Sequence, residues 1–493
     1  MSGSISVPGY SSSNRVPGFY LALDNTGANT ASMARRVLII GQMLAGAPAQ
    51  AGVPEISGGV TDAISKYGAG SQCHIMLRDY RTIDSTGEVW VLPLADDAAA
   101  QAATGSITLT GPALAGGTLP LYIADQLVPV GVSVGDTATA IAANIVAAAK
   151  AIPSLPVTLS AAAGVVTVTA RNKGLCGNDV TMGVALLGTA GGQSVPTGVT
   201  VALAQLAGGT QNPTSLQTAL ASLGSRVYDL IAHPYTDTAS LTAFKNLLDN
   251  SIGRWSPMQQ LYGHHITALR ADYGAATTFG LEQNDPHGTV MPISDSPASP
   301  MSWAAQLMAV TAVSMRENPA LPVRGLALTL LPPTDAGRFA FDERNSFLHD
   351  GLSTFTVNDS GTVLTERLVT TYQENSAGVP DDSYLDIETL LTAQVCMQDM
   401  RTYLASRYAR TILVADGSKI PAGAQATTAQ LIGASAVARY RWQCTQLWAQ
   451  NPDIFAANIV CENAGGGQVR LQLPYDFANQ LWVIAADIRF TKS

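Results

Sequence analysis

The sequence predicts an α/β (α+β) multidomain protein: a mixed-sheet core, interrupted by an inserted β-rich ββαββ module and flanked by extended terminal arms. Three observations predict it. Apolar runs of the kind that form strands buried on both faces, RRVLIIGQ, EVWVLPL and RVYDLIAHPY, are interspersed with helical patterns. Between the second and third run, residues 105–208 turn to Thr, Val, Ala and Gly with almost no charge. Finally, LWVIAADIRF, read with a period of two, sets Trp482, Ile484, Ala486, Ile488 and Phe490 on one apolar face that requires a sheet to cover it.

Taken in order, residues 1–30 are rich in Ser, Gly and Pro, with one alternating run in which Phe19, Leu21 and Leu23 share a face. They read as an arm carrying a strand. The core occupies 31–104 and resumes over 209–370. Its first strand is RRVLIIGQ, followed by a Gly/Ala/Pro loop, a short helix from Val60 to Tyr67, and the strand EVWVLPL. In the insertion, 105–208, GSITLTG and TLPLYIADQLVPVGV read as paired strands. GDTATAIAANIVAAAKAI reads as a helix capped by Asp136, and PVTLSAAAGVVTVTARN as a hairpin turning at Gly164.

The core then continues with two helices, TDTASLTAFKNLLDN and SPMSWAAQLMAVTAVSM, the second capped by Ser299 or Ser302 and stopped at Asn318-Pro319, and with the strand RGLALTLL. Residues 371–493 form a C-terminal α/β unit. Its long helix runs from about Asp381 to Arg410, with Ser383 and Asp386 spaced as a capping box and Leu390, Met397, Leu404 and Tyr408 at helical spacing. After TILVADG come a helix from Thr428 to Gln450, strands in IFAANIVCEN and GQVRLQL, and the terminal strand.

At 493 residues the chain has room for several cores, at roughly 100–200 residues per domain. Only 13% of residues are charged, so much of the surface is neutral, which suits extensive subunit contact. The net charge of −9 and the absence of any Lys/Arg cluster argue against nucleic acid as a partner. Five scattered cysteines, Cys73, Cys176, Cys396, Cys444 and Cys461, lack zinc or redox spacing and read as thiols in a reducing compartment. MSGSISVPGYSSSNRVPG has no basic region leading into an apolar run, and no segment reaches the roughly 18 apolar residues of a membrane span. A soluble protein made in a cytoplasm, without direct membrane insertion, is expected.

Four motifs invite a chemical reading, and each has a plainer one. Gly41 in VLIIGQMLAG follows a strand as in nucleotide-binding folds, but neither G-x-G-x-x-G nor G-x-x-x-x-G-K-[ST] is present, leaving a core strand. His264 and His265 are adjacent, so on a strand they point to opposite faces and do not converge on one metal; packed or hydrogen-bonded roles are expected. Asp381, Asp382 and Asp386 read as first-turn acids opposing the helix dipole. Gly465 to Gly467 read as a loop between strands rather than a phosphate nest. No catalytic, cofactor-binding or metal-ligating residue is assigned.

YDLIAHPYTDTASL, RWSPMQQLYGHHITA, RLVTTYQENSAGVPDDSYLDIETL and RYARTILVADGS, in this order and spacing, resemble the tail sheath proteins of contractile-tailed phages of the Mu-like type. The resemblance extends over nearly the whole chain after residue 15, including RVPGFYLALDNTGA, and is least specific over 105–208. It implies a structural, force-producing virion protein without enzymatic activity, assembled in the host cytoplasm. Such proteins stack as six-fold rings on a tail tube and shorten to drive the tube through the host envelope. Partners implied are further copies of the chain, the tail tube protein, and the baseplate and tail terminator proteins.

The resemblance also implies that the arms complete sheets of neighbouring subunits, through Phe19, Leu21 and Leu23 and through Trp482, Ile484, Ile488 and Phe490. It places the insertion on the outside of the sheath. The tube-facing surface is expected in the last third, where Lys419, Arg439 and Arg441 supply cations. A tailocin or bacterial injection-machine sheath is the related alternative; an α/β hydrolase-like or ligand-binding enzyme is the remote one.

Overall fold

The computed structural model describes residues 35–490. The arm strand expected around Phe19, Leu21 and Leu23 lies outside them. The described chain opens with β1 (Arg36–Gln42), followed by β2 (Glu55–Ile56), α1 (Val60–Tyr67), α2 (Gln72–Arg81) and β3 (Glu88–Leu94). β1 and β3 pair in parallel from Arg36↔Glu88 to Gln42↔Leu94. Both faces of β1 are buried, Val37 and Ile39 in one apolar cluster and Leu38 and Ile40 in another, which is why its sequence runs apolar without alternation.

The insertion contains β4 (Thr104–Thr110), β5 (Gly117–Ile123), β6 (Gln126–Val132), α3 (Ala138–Lys150), β7 (Val157–Ala162), β8 (Val165–Ala170), β9 (Met182–Val184) and β10 (Thr200–Ala207). Its strands divide into two antiparallel sheets, ordered β10-β4-β8-β7 and β6-β5-β9. The expected pairing of GSITLTG with the next segment is therefore corrected: β4 joins β8 and β10, while β5 and β6 pair with each other across Ala124 and Asp125. Period-two alternation assigns faces but not partners, so ββαββ undercounts the unit. The hairpin at Gly164 is present. Thr137, not Asp136, caps α3, because the Asp136 carboxylate accepts from the Ser133 N–H instead. α3 buries Ile141, Ala142, Ile145 and Ala149, and the apolar cluster they join continues without a break to Val37, Ile39 and Met308. A bridge between Gln101 and Thr210 closes the stem from which the insertion leaves.

The core resumes with α4 (Leu216–Ala221), β11 (Leu230–Ala232), α5 (Thr238–Leu248), β12 (His264–Arg270), α6 (Tyr273–Leu281), β13 (Gly288–Ile293) and α7 (Pro300–Glu317). The six-stranded sheet reads β13-β12-β11-β1-β3-β2, parallel except for β2 at the edge. α7 is buried on nearly every side against α2 and β12, as befits a helix apolar all round. It starts from Ser299, with Pro300 preset at its first position.

A three-stranded sheet follows, of β14 (Ala327–Leu328), β15 (Thr354–Val357) and β16 (Val363–Arg367), with α8 (Phe341–His349) between the first two. The last third contains α9 (Ile387–Tyr408), β17 (Ile412–Leu413), β18 (Ala426–Thr427), α10 (Ala429–Thr445), α11 (Pro452–Asn458), β19 (Val460–Gly465) and β20 (Gln468–Gln472). Two expectations are corrected here. IFAAN is helical, set by Pro452 at the first position of α11. No Ser383–Asp386 capping box forms, because Asp386 is engaged by Arg367. Residues 478–490 pair in no strand ladder with any described residue. Gly465, Gly466 and Gly467, all at positive φ, form the turn between β19 and β20.

Candidate functional site

His264 and His265 open β12 and, being neighbours on a strand, part to opposite faces. His264 Nε2 lies 2.8 Å from Thr289 Oγ1 on β13. His265 joins a buried chain: its Nε2 is 3.1 Å from Asp285 Oδ2, and its Nδ1 is 3.1 Å from His233 Nε2. The His233 ring stacks on Phe244 at 3.8 Å, and its Nδ1 accepts from the Tyr235 N–H. That acceptor role places the His233 proton on Nε2, where it donates to His265; His265 then donates to Asp285.

Burial pushes His233 and His264 well below the ordinary histidine range, and His287 down to about 4. Burial alone would raise the Asp285 carboxyl, but the hydrogen bond from His265 and the neighbouring imidazoles outweigh it and hold it at about 2. The chain ends on a backbone amide rather than a nucleophile, and its members are buried. It joins β11, β12 and the approach to β13. Neither His233 nor Asp285 stood out in the sequence, because parallel pairing of distant segments brings them together.

The other motifs resolve similarly. Asp381 accepts from Tyr372 Oη at 2.7 Å and from Ser383, stapling a loop, while Asp382 is exposed. All five cysteines are free thiols; Cys73, Cys176 and Cys396 are buried, and burial pushes each thiol upward. Among the described residues no group of three or more His, Cys, Asp or Glu is placed to hold a metal ion, and no helix is long and apolar enough to cross a membrane.

The three cations expected to face the tube all lie in the last third. Arg439 on α10 forms a two-pronged pair with Asp399 on α9, and its guanidinium lies 3.7 Å from the Trp442 ring centroid and 5.2 Å from that of Tyr403. It is a clamp between helices, not a projecting cation. Arg441 is 58% exposed beside Asp453, and Lys419 is exposed. Arg407 and Arg410, which no sequence motif singles out, line an open groove of about 950 Å³ with Tyr403, Tyr408 and Ser435.

The terminal segment divides at Trp482. Up to that residue it is tied to its own chain: Asp476 receives Gln450 and Asn451, Gln480 reaches the Ala320 carbonyl, and the Arg367 guanidinium lies over the Trp482 ring at 4.7 Å. Beyond it, Val483 and Ile484 are each 79% exposed, Ile488 88% and Phe490 87%. These apolar side chains lie uncovered; the same third of the chain also carries two small open-edged ribbons, β17–β18 and β19–β20, which expose Ile412 and Val460.

Residues 208–371 match the family model for the central domain of phage tail sheath proteins. Over 431 residues the chain is 32% identical to the tail sheath protein of a Mu-like prophage of Haemophilus influenzae, covering 87% of each. Its fold is shared with the sheath tail protein of Listeria innocua (TM-score 0.50, 14% identity, 92% of this chain and 94% of that one). It is shared equally with the sheath tail protein of Desulfitobacterium hafniense (TM-score 0.50, 13% identity, 94% and 97%).

Proposed function

This chain belongs to the phage tail sheath family, of the Mu-like type, and is a structural subunit of a tail sheath; we propose that it polymerises as stacked six-fold rings around the tail tube and contracts to drive that tube through the host envelope. The observation that carries the reading is the C-terminal arm. Val483 to Phe490 present strand-forming, apolar side chains to solvent, and their backbone joins no described ladder. Two-stranded ribbons such as β17–β18 and β19–β20 are marginal alone, and a strand donated by another copy completes them. Such a ladder tethers subunits while their bodies re-pack between two states.

Ile484, Ile488 and Phe490 are the donated side chains, and Phe19, Leu21 and Leu23 pair into the same composite sheet. The insertion faces outward. Lys419 and Arg441 face the tube, as do Arg407 and Arg410 of the open groove, while Arg439 holds α9 and α10 together. The tube, baseplate and tail terminator proteins are the partners; the subunit is non-enzymatic and assembles in the host cytoplasm before joining the virion. Negative-stain microscopy of the purified protein tests this. Tubes or striated cylinders are expected, and discrete closed particles with hydrolytic activity would overturn it.

A further inference from the structure

The terminal segment is held at Trp482 from several directions. Arg367, the last residue of β16, lies over the indole at 4.7 Å and sends two hydrogen bonds, 2.8 and 3.0 Å, to Asp386. The indole Nε1–H reaches the same carboxylate at 3.3 Å. Arg324 Nη1 donates to the Trp482 carbonyl at 2.8 Å. One aromatic ring, two guanidinium groups and one carboxylate thus converge where the chain passes from attached to exposed. A half-buried cation over an aromatic face, closed by a shared anion, is among the stronger contacts open to side chains near a surface.

We propose that Arg367, Asp386 and Trp482 form the root of the C-terminal arm, the fixed point through which pull on the donated strand enters the subunit body. This rests on the strand-donation reading above and names the residues that make donation mechanically useful. Asp386 is the residue from which α9 starts, so pull on Trp482 is delivered to the base of that helix. The helix is itself anchored: Glu388 accepts the Val323 N–H at 2.7 Å, and Gln394 donates to Asp229, which in turn accepts the Arg36 N–H at the start of β1. The path from arm to central sheet is therefore continuous through hydrogen-bonded groups. Trp482 thus acts as an anchor on its own chain, rather than as a first rung of the exchanged strand.

Two variants of the full chain separate this root from the strand itself. Trp482→Ala retains Val483 to Phe490 and is expected to assemble. When such sheaths are driven to contract by mild heating or dilute urea, they should break into short stacks about tenfold more often than wild type, the size expected of a lost cation–π and carboxylate contact. Deleting 483–493 leaves the root and removes the strand, and should abolish tubes. Contracted Trp482→Ala sheaths with the wild-type length distribution overturn the root. Normal tubes from the deletion overturn strand donation and the root with it. Should Trp482→Ala fail to yield tubes, hydrogen exchange across 474–482 in the isolated subunit decides: about tenfold faster exchange than wild type supports the anchor, and equal exchange contradicts it.

Discussion

His233 Nε2 faces His265 Nδ1 at 3.1 Å, with Asp285 behind, in a chain that holds one proton order. An added proton on His233 would oppose the Tyr235 N–H. The folded-state values of His233, His264 and His287 lie below the ordinary one near 6.5, so the unfolded chain takes up more protons on acidification. The histidine contribution to stability is therefore full above about pH 6.5 and is lost below it, by up to about tenfold in the unfolding constant per pH unit for each such histidine. Burial raises the carboxyls of Asp125, Asp179 and Glu388 to about 7, 6 and 7, and these act in the opposite sense over the same range. The comparison of variants isolates the histidine part: between pH 7 and 5 the urea midpoint of His233→Gln, whose amide can flip from donor to acceptor, should fall less, or rise more, than that of the wild type. Identical pH slopes for the two would contradict the assignment.

Gly288 pairs with His265 in the β12–β13 ladder, and a Cβ there would lie 2.4 Å from His265 Nε2. Gly288→Ala should therefore displace the imidazole and cost about 2–3 kcal/mol. Chemical denaturation measures this directly, and a change below about 0.5 kcal/mol would show that the ring is not held where it lies.

Arg439 and Arg441 sit two residues apart on α10 and should behave oppositely. Arg439→Ala removes the Asp399 pair and the stack on Trp442, and is expected to destabilise by about 1–3 kcal/mol. Arg441→Ala breaks only an exposed pair and should stay within about 0.5 kcal/mol. Binding to isolated tail tubes should show the reverse ranking once folding is accounted for. Equal stability of the two variants would sink the distinction.

The insertion leaves and returns at the Gln101–Thr210 bridge, so replacing 105–208 by a short Gly/Ser linker should close without strain. The apolar cluster shared with the core and the Gln42–Asp96–Asn172 network mean that a solvent-exposed scar remains. The excised chain should still form tubes, thinner in outer diameter and less heat-stable. An unfolded product by circular dichroism would show that the insertion is integral to the core.

Legibility from sequence followed burial. RRVLIIGQ and EVWVLPL could be read as strands because both faces of β1 and most of β3 are covered, leaving no ambiguity of period. IFAAN could not, since a short apolar run fits helix and strand alike and only Pro452 decides. The Ser383-x-x-Asp386 spacing suggests a local capping box, whereas α9 starts from Asp386 and a partner 19 residues away, Arg367, claims its carboxylate. The Asp285–His265–His233 chain left no trace in spacing, because strand register creates it. Arg439 looked like a free cation because nothing local announces Asp399, 40 residues away on the facing helix. The terminal apolar stripe was legible for the opposite reason: its side chains are too apolar for solvent, and its own described chain offers them no cover.

The central claim, that the segment after Trp482 links subunits as a donated strand, is tested most directly by electron microscopy of Ile484→Pro. Proline removes a ladder donor and cannot occupy a central strand. Ile484 is 79% exposed in the subunit, so the substitution should leave the monomer's fold and far-UV circular dichroism unchanged. Folded monomers that form no rings or tubes are the predicted result; tubes of wild-type length that contract normally would contradict it.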